Sequence, residues 1–210
     1  SGLTTRYGYF FIDAKSNKVF LMKDKLLEIS AIGMESWFKE NLTFELEKYG
    51  YSNCTLDNPI VGAGFHSVYD PKNKRIILTK KELIPTQKFI DDFNITTIGT
   101  SCTAEPLGVI KFFSDTCQFK KWIEDKDGNC VWDPLNMSCH GSSSSYFTCS
   151  GWTISYYPEL GIWGSFHDYV PYIYFNTSTD FYSLTDQYVR PVWCTNAMVA
   201  AGDCTSASTP

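Results

Sequence analysis

The chain has 210 residues, and 18 Lys and Arg against 23 Asp and Glu give a formal net charge of −5 at pH 7. Hydrophobic residues make up 43%, aromatic residues 16% and charged residues 20%. This composition excludes a disordered chain, because it supplies enough apolar surface for a core. Specific nucleic-acid binding is not expected without a Lys- or Arg-rich block. No membrane span is expected either, since the apolar stretches fall short of the roughly 20 residues needed.

The ends of the chain suggest a domain cut from a longer protein. The sequence opens with Ser1 and Gly2 and closes in the weakly structured run 206–210, and it shows no signal-peptide pattern. We therefore expect one domain here and further sequence outside it.

The clearest pattern is a repeated hairpin. Residues 11–21 superimpose on residues 68–78 at a constant shift, and a third copy runs over 156–166 with a turn that we expect to be one residue shorter. In each copy, β-branched and aromatic residues flank a polar turn, which is typical of a β-hairpin. Asp13 and Asp70 hold equivalent positions, which indicates a turn role and not a catalytic pair.

These hairpins predict a mainly β fold. Hairpins that recur at roughly 40 to 60 residues bury their apolar faces by stacking, as propeller blades do. We predict antiparallel hairpin repeats that form part of a β-propeller, with an unspecific β-sandwich or barrel as the alternative. Residues 1–84 hold two blade-like units, 85–150 a Cys-rich insertion, and 151–210 a third unit with a C-terminal segment. So few units cannot close a propeller alone.

One amphipathic helix is predicted between the first two copies, at about residues 33–50. Apolar residues follow helical spacing there, and Gly50 stands where a glycine would end the helix. We interpret its aromatic stripe as a packing face.

The insertion over 85–150 holds five of the eight cysteines and an acidic turn. The turn lies between strand-like segments at 121–123 and 130–132, which predicts an extra hairpin. A calcium loop is disfavoured, because Gly128 is only fourth counting from Asp125 and an EF-hand places glycine sixth. Insertions on a repeat scaffold commonly carry contacts to partners.

The cysteines leave their redox state open. They are Cys54, Cys102, Cys117, Cys130, Cys139, Cys149, Cys194 and Cys204. A chain of this length folds around a core without needing disulfides, so we expect buried thiols with one or two bridges in the insertion. The set Cys130, Cys139, His140 and Cys149 departs from zinc-ribbon and zinc-finger spacings, and metal ligands stay unassigned.

No catalytic site and no cofactor are predicted. The chain has three histidines, His66, His140 and His167, and none of the common hydrolase, metalloprotease, P-loop or dinucleotide-binding motifs. Cys139 and His140 are adjacent and would point to opposite faces of a strand, so they do not form a nucleophilic pair. We expect His66 and His167 to be structural and the protein not to be an enzyme.

Two alternative functions stay open on the residues alone. Five Asn-x-Ser/Thr sequons keep a secreted, disulfide-bonded, glycosylated surface or receptor-binding domain in consideration; they are Asn41, Asn53, Asn94, Asn136 and Asn176. The aromatic residues between 152 and 175 would suit sugar stacking in a carbohydrate-active β-propeller enzyme. Their alternating placement favours core packing instead.

Three segments resemble the tail muzzle, or nozzle, protein of crAss-like short-tailed bacteriophages. They are EISAIGMESWFKENL, GFHSVYDPKNKRIILTKKE and WTISYYPELGIWGSFHDYVPYIYFNT. The resemblance does not extend to 85–150.

This resemblance implies a structural virion protein at the distal tail, assembled in the bacterial host cytoplasm, where a ring of copies retains and then releases DNA. It also implies contacts with other tail proteins, and it leaves a contact with the host surface open. An extracellular location belongs to the secreted alternative.

Overall fold

The computed structural model describes residues 2–51, 59, 63–96, 104–137, 144–187 and 190–195, with only the backbone at 185–187 and 190–195. These residues form a mainly β fold, as predicted, and they contain two α-helices where one was expected. The helices are α1 (Glu35–Asn41), α2 (Gln87–Phe93) and a 3₁₀ helix (Glu45–Tyr49). The strands are β1 (Gly2–Thr5), β2 (Gly8–Asp13), β3 (Lys18–Met22), β4 (Leu26–Glu28), β5 (Gly64–Asp70), β6 (Arg75–Pro85), β7 (Ile110–Phe113), β8 (Gln118–Glu124), β9 (Cys130–Pro134), β10 (Phe147–Tyr157), β11 (Ile162–His167), β12 (Ile173–Asn176), β13 (Phe181–Gln187) and β14 (Arg190–Thr195).

The strands form four sheets. The first sheet has the order β1-β2-β3-β4, the second β11-β10-β6-β5, the third β12-β13-β14 and the fourth β7-β8-β9. Every pair with a described register is antiparallel. The described residues close neither a propeller nor a barrel.

The described residues divide into two compact units by their contacts. Unit 1 draws its residues from 1–44, 57–82 and 151–210, and unit 2 from 45–56 and 83–150. Unit 1 therefore contains the first and third sheets and most of the second. Unit 2 contains α2, the 3₁₀ helix and the fourth sheet.

The three predicted hairpins are β2–β3, β5–β6 and β10–β11, and β7–β8 is a fourth of the same design. In each, four residues connect the paired strand ends. The last of the four has a positive φ of 51° to 65°; these residues are Asn17, Lys74, Cys117 and Gly161. The third turn is thus no shorter than the others: Tyr157 pairs with Ile162 as Asp70 pairs with Arg75.

Carboxylates hold two of these turns. Oδ1 of Asp13 accepts from the backbone amides of Lys15 and Ser16, and Oδ1 of Asp70 accepts in the same way from Lys72 and Asn73. The predicted turn role of Asp13 and Asp70 is confirmed. Asp70 is fully buried and also accepts from Nε of Arg75 at 2.9 Å, so its turn carries a buried ion pair.

The second and third hairpins join edge to edge through β6 and β10 and share the second sheet. Gly151 permits this approach, because a Cβ there would collide with the backbone carbonyl oxygen of Lys80 on β6. Across the same junction, the buried hydroxyls of Thr79 and Thr153 lie 2.8 Å apart.

The second sheet is the middle layer of unit 1. Val68 on β5 belongs to a core cluster with Tyr174 and Phe181 of the third sheet. The next residue, Tyr69, contacts the ring of Tyr7 beside the first sheet, at a centroid distance of 5.9 Å. Because successive strand residues face opposite sides, the first and third sheets pack on opposite faces of the second.

The helix predicted over 33–50 is interrupted at 42–44. Tertiary contacts compete for the backbone there: the carbonyl oxygen of Thr43 accepts from Nζ of Lys80, and Phe44 packs on Phe65 at 5.1 Å between ring centroids. The helical pattern therefore resolves into α1 and the 3₁₀ helix. Gly50 follows the latter with a φ of 92°, the conformation expected of a terminating glycine.

Unit 2 has its own aromatic core. Its buried members are Leu46, Leu83, Phe89, Ile110, Phe119, Leu135 and Phe147. The extra hairpin predicted around the acidic turn is present as β8–β9. Helix α2 was not predicted; Thr86 caps it by accepting from the amide of Phe89.

We predict that Gly151→Ala destabilises unit 1 by about 3 kcal/mol, because the new methyl group forces β10 away from β6. The matched control is Gly161→Ala. A Cβ at that position meets nothing within 4 Å, so only the cost of its positive φ, about 1 kcal/mol, is expected. Urea denaturation measures both values, and equal losses would contradict the steric role of Gly151.

We further predict that Asp70→Ala costs about 3 to 5 kcal/mol, because it leaves the Arg75 guanidinium largely buried without its carboxylate. The equivalent substitution Asp13→Ala removes two hydrogen bonds of an exposed turn and should cost about 1 kcal/mol. Denaturation under identical conditions measures the loss of unfolding free energy in both variants. Equal losses would contradict the contribution of the buried ion pair.

Candidate interaction surface

Two histidines, His66 and His167, each lie beside a tyrosine ring. His66 stacks on Tyr174 with ring centroids 4.7 Å apart, and His167 lies 5.4 Å from the ring of Tyr169. His140, like its neighbour Cys139, lies outside the described residues.

Three cysteines of the described chain are in disulfides, namely Cys117, Cys130 and Cys149. A disulfide sulfur is not a thiolate, so Cys130 and Cys149 do not provide the zinc ligands considered from the sequence. Among the described residues, no group of three or more His, Cys, Asp or Glu side chains could hold a metal ion. In the acidic turn, Oδ1 of Asp125 instead accepts from the amides of Asp127 and Asn129.

The aromatic residues between 152 and 175 mainly pack within unit 1. Trp152 contacts Trp37 of α1 at 4.8 Å, and Trp163 contacts Phe38 at 4.6 Å between ring centroids. Nε1 of Trp163 also donates to the carbonyl oxygen of Ile29, 2.8 Å away, next to the first sheet. These contacts fix α1 and the first sheet on one face of the second sheet.

The first sheet has one buried and one partly exposed apolar face. Phe10, Val19 and Leu21 point inward with exposures of 0 to 9%. The alternate residues form what we call the first outer face, which consists of Tyr9, Phe11, Phe20, Met22 and Leu26. Tyr9, Met22 and Leu26 lie opposite one another in register and are 42%, 46% and 56% exposed.

Aromatic stacking orders this face. The ring of Phe11 stacks on Tyr9 and on Phe20, with centroids 5.6 Å and 5.2 Å away. On the same face, Glu28 lies opposite Phe20, and its Oε2 accepts from Nζ of Lys18 at 2.7 Å. The first outer face is thus mainly apolar and contains one ion pair.

The third sheet presents a second apolar surface. Tyr174, Phe181 and Ser183 face the second sheet and are at most 9% exposed. The alternate residues of β12 and β13 form the third outer face, which consists of Ile173, Phe175, Tyr182 and Leu184. Phe175 stacks on Tyr182 with centroids 4.9 Å apart and is 43% exposed. Since the two sheets pack on opposite faces of the second, these outer faces lie at opposite ends of the stack.

A polar cluster ties the turns of unit 1 together. Oε1 of Glu159 accepts from the Tyr7 hydroxyl at 2.7 Å and from Arg6 at 3.3 Å, and its Oε2 pairs with Lys74 at 3.3 Å. The hydrogen bond from Tyr7 and that from Lys74 lower the pKa of Glu159. Desolvation, followed by the bond to Glu159, raises the pKa of Tyr7 to about 12. The cluster links three turns.

The outer faces were missed from the sequence, although a signal was present. An antiparallel strand with one solvated face alternates apolar and polar residues. Here Phe10 and Phe11 are adjacent, and 19–22 is a continuous apolar run. Such runs indicate strands that are covered on both sides.

His167 is held in its neutral form. Burial lowers the pKa of its imidazole, and the nearby Arg75 cation lowers it further. Its Nε2 atom is buried and has no hydrogen-bond partner among the described residues.

We predict a pH-dependent loss of stability from this group. The unfolded His167 has a pKa near 6.5 and therefore binds a proton at a higher pH than the folded form does. The free energy of unfolding should fall as the pH drops below about 6.5. His167→Gln should weaken that dependence and leave the free energy of unfolding at pH 8 close to that of the unchanged protein. NMR titration of the three histidine resonances identifies the group. A pKa at or above 6.5 for the resonance lost in His167→Gln would overturn the assignment.

Layered antiparallel sheets with apolar outer faces are typical of a protein that assembles with others. The described residues contain no helix with the length and apolar content to cross a bilayer. A family model described as Crassvirus muzzle protein matches residues 1–187, and the chain belongs to this family. The match includes the insertion 85–150, to which the resemblance seen in the sequence did not extend. It is therefore a structural tail protein of a phage virion. No curated protein and no solved structure matched the chain significantly.

Proposed function

We propose that this protein is a subunit of the distal tail nozzle of a short-tailed phage, where a ring of copies retains the DNA and then lets it pass. Membership of the Crassvirus muzzle protein family over residues 1–187 is the observation that supports this function. The muzzle family also implies contact with other tail components. A structural role of this kind needs no catalytic site.

The layered architecture of unit 1 agrees with an assembly subunit. The first and third sheets pack on opposite faces of its second sheet, and each keeps a partly exposed apolar face at the surface. Exposed apolar faces of this kind mark protein interaction sites. Contacts with neighbouring tail proteins are therefore expected to cover them in the virion.

The propeller and the domain roles belong to the same proposal. The first sheet is a four-stranded antiparallel meander, which is the strand arrangement of a propeller blade. We propose that residues 1–84 and 151–210 supply blade-like units that are completed by neighbouring chains, and that the insertion 85–150 contacts partners. Assembly in the host cytoplasm precedes incorporation into the tail.

The function is tested on phage particles. We expect a gold-labelled antibody against the chain to mark the tip of the tail, and cryo-electron microscopy to show copies around an axial channel. Particles made without the protein should assemble heads and tails but lose packaged DNA. A deletion of a non-tail structural gene provides the control for general assembly defects.

Two results would contradict this function. One is a label on the head or its absence from purified particles. The other is full DNA retention in particles that lack the protein, which would remove the gating role while leaving the structural tail role intact.

A further inference from the structure

We propose that disulfide formation in the insertion is a redox-controlled step, which takes place after the chain has left the reducing cytoplasm and which fixes the fourth sheet in the released particle. The proposal rests on the proposed function, from which it takes assembly in the bacterial host cytoplasm. Disulfides are rare in that compartment and persist outside the cell. The step concerns unit 2 alone, which contains all three disulfide cysteines of the described chain.

The three cysteines belong to at least two disulfides. Cys117 immediately precedes β8, and Cys130 lies opposite Glu124 at the far end of the same strand. With its seven residues, β8 is about 20 Å long at roughly 3.3 Å per residue. Two cysteines whose Cα atoms are more than about 7 Å apart do not bond each other. Cys117 and Cys130 are therefore in different disulfides, one at each end of β8.

The fourth sheet buries little apolar surface of its own. In its three fully described strands, only Ile110 and Phe119 are buried, and β9 has no buried residue. By contrast, β6 alone has seven buried residues. Units that bury little apolar surface commonly depend on disulfides for their stability. We therefore expect the bonds at the two ends of β8 to hold a sheet that packing secures only weakly.

The turn before β8 does not itself require a cysteine. Cys117 occupies the last position of this turn with a φ of 51°, and the equivalent positions of the other hairpins hold Asn17, Lys74 and Gly161. Asparagine and glycine adopt this left-handed conformation more readily than cysteine does. The disulfide, and not the backbone geometry, accounts for a cysteine at this position.

The cysteines are accessible to thiols and disulfides in solution. Cys117 and Cys130 are partly buried, and Cys149 is exposed. A cysteine thiolate attacks one sulfur of a low-molecular-weight disulfide such as oxidised glutathione, and a second cysteine thiolate then resolves the mixed disulfide. Two thiols of the protein are thereby oxidised to one disulfide, and the oxidant takes up two protons and two electrons as it becomes two thiols. In a reducing cytoplasm the same exchange runs in the opposite direction.

This chemistry separates two stages of assembly. Unit 1 contains none of the three disulfide cysteines, and its described part is held by packing and by buried polar contacts such as the Asp70–Arg75 ion pair. Unit 1 therefore folds while the tail is built in the cytoplasm. The fourth sheet becomes rigid only outside the cell, so the insertion stays adaptable while it meets its partners in the tail.

Hydrogen exchange of the purified chain, measured by mass spectrometry, tests the dependence on the disulfides. We expect a phosphine reductant to speed amide exchange in β7, β8 and β9 by at least about tenfold, and to leave exchange in β2, β3 and β5 of unit 1 within about twofold. Oxidised glutathione should then restore the original protection. Unchanged protection of the fourth sheet after full reduction overturns the proposal, and so does an equal loss in both units.

Substitutions at the two ends of β8 give the residue-level test. Cys117→Ser and Cys130→Ser each remove one disulfide, so each should speed exchange in the fourth sheet without any reductant. The double variant should lose most of the response to reductant. Ser114→Ala is the matched control, because Ser114 is exposed in the turn that Cys117 ends. Variants that exchange as slowly as this control would contradict the role of the two bonds.

Thiol trapping in infected cells separates this proposal from the proposed function. With N-ethylmaleimide added before lysis, we expect Cys117 and Cys130 to be alkylated in cell-associated tails and disulfide-bonded in released particles. Disulfides already formed in cell-associated tails overturn the proposal, as do alkylated cysteines in released particles, and both results leave the nozzle function standing. Absence of the chain from the particles would instead contradict the proposed function.

Discussion

The pairing of β6 with β10 is the interaction on which unit 1 depends. It unites two hairpins that are far apart in sequence into one sheet, and it requires Gly151 because the backbone of Lys80 occupies the place of a side chain. The first sheet and α1 then pack on one face of this sheet, and the third sheet packs on the other. Without the junction, neither neighbouring layer would have a continuous surface to cover.

Buried polar groups give this middle sheet its specificity. Nζ of Lys80 donates to the carbonyl oxygen of Thr43 and to Oε1 of Glu82. Nζ of Lys81 donates to the carbonyl oxygen of Pro59 and lies 3.5 Å from the centroid of the Tyr172 ring. Both lysines are almost fully buried, which is costly unless every charge is compensated. Because Lys80 and Lys81 are neighbours on β6, their ammonium groups lie on opposite faces of the sheet. Each lysine therefore fixes a chain segment on its own face.

The same layering accounts for the assembly role. A three-layer stack covers much of its middle sheet and leaves an apolar face at each end. In an isolated protein such faces would favour aggregation, whereas in a tail they are places for contacts. The buried Asp70–Arg75 pair and the Glu159 cluster keep the turns of the stack in register, so the outer faces are presented on a rigid support.

The sequence by itself determined the mainly β class, the three hairpins, the turn roles of Asp13 and Asp70, the extra hairpin of the insertion and the family resemblance. These features are local: turn residues and alternating apolar residues act over a few positions, so their pattern is legible without the fold. The tertiary structure decided that two hairpins share one sheet, because a close backbone approach at Gly151 is a contact between distant segments. It also decided that the predicted helix breaks at Thr43, since Lys80 competes for a carbonyl that the helix would use. The outer faces depended most on the tertiary structure, because burial of Phe10 and exposure of its neighbour Tyr9 follow from which layer lies beneath the sheet.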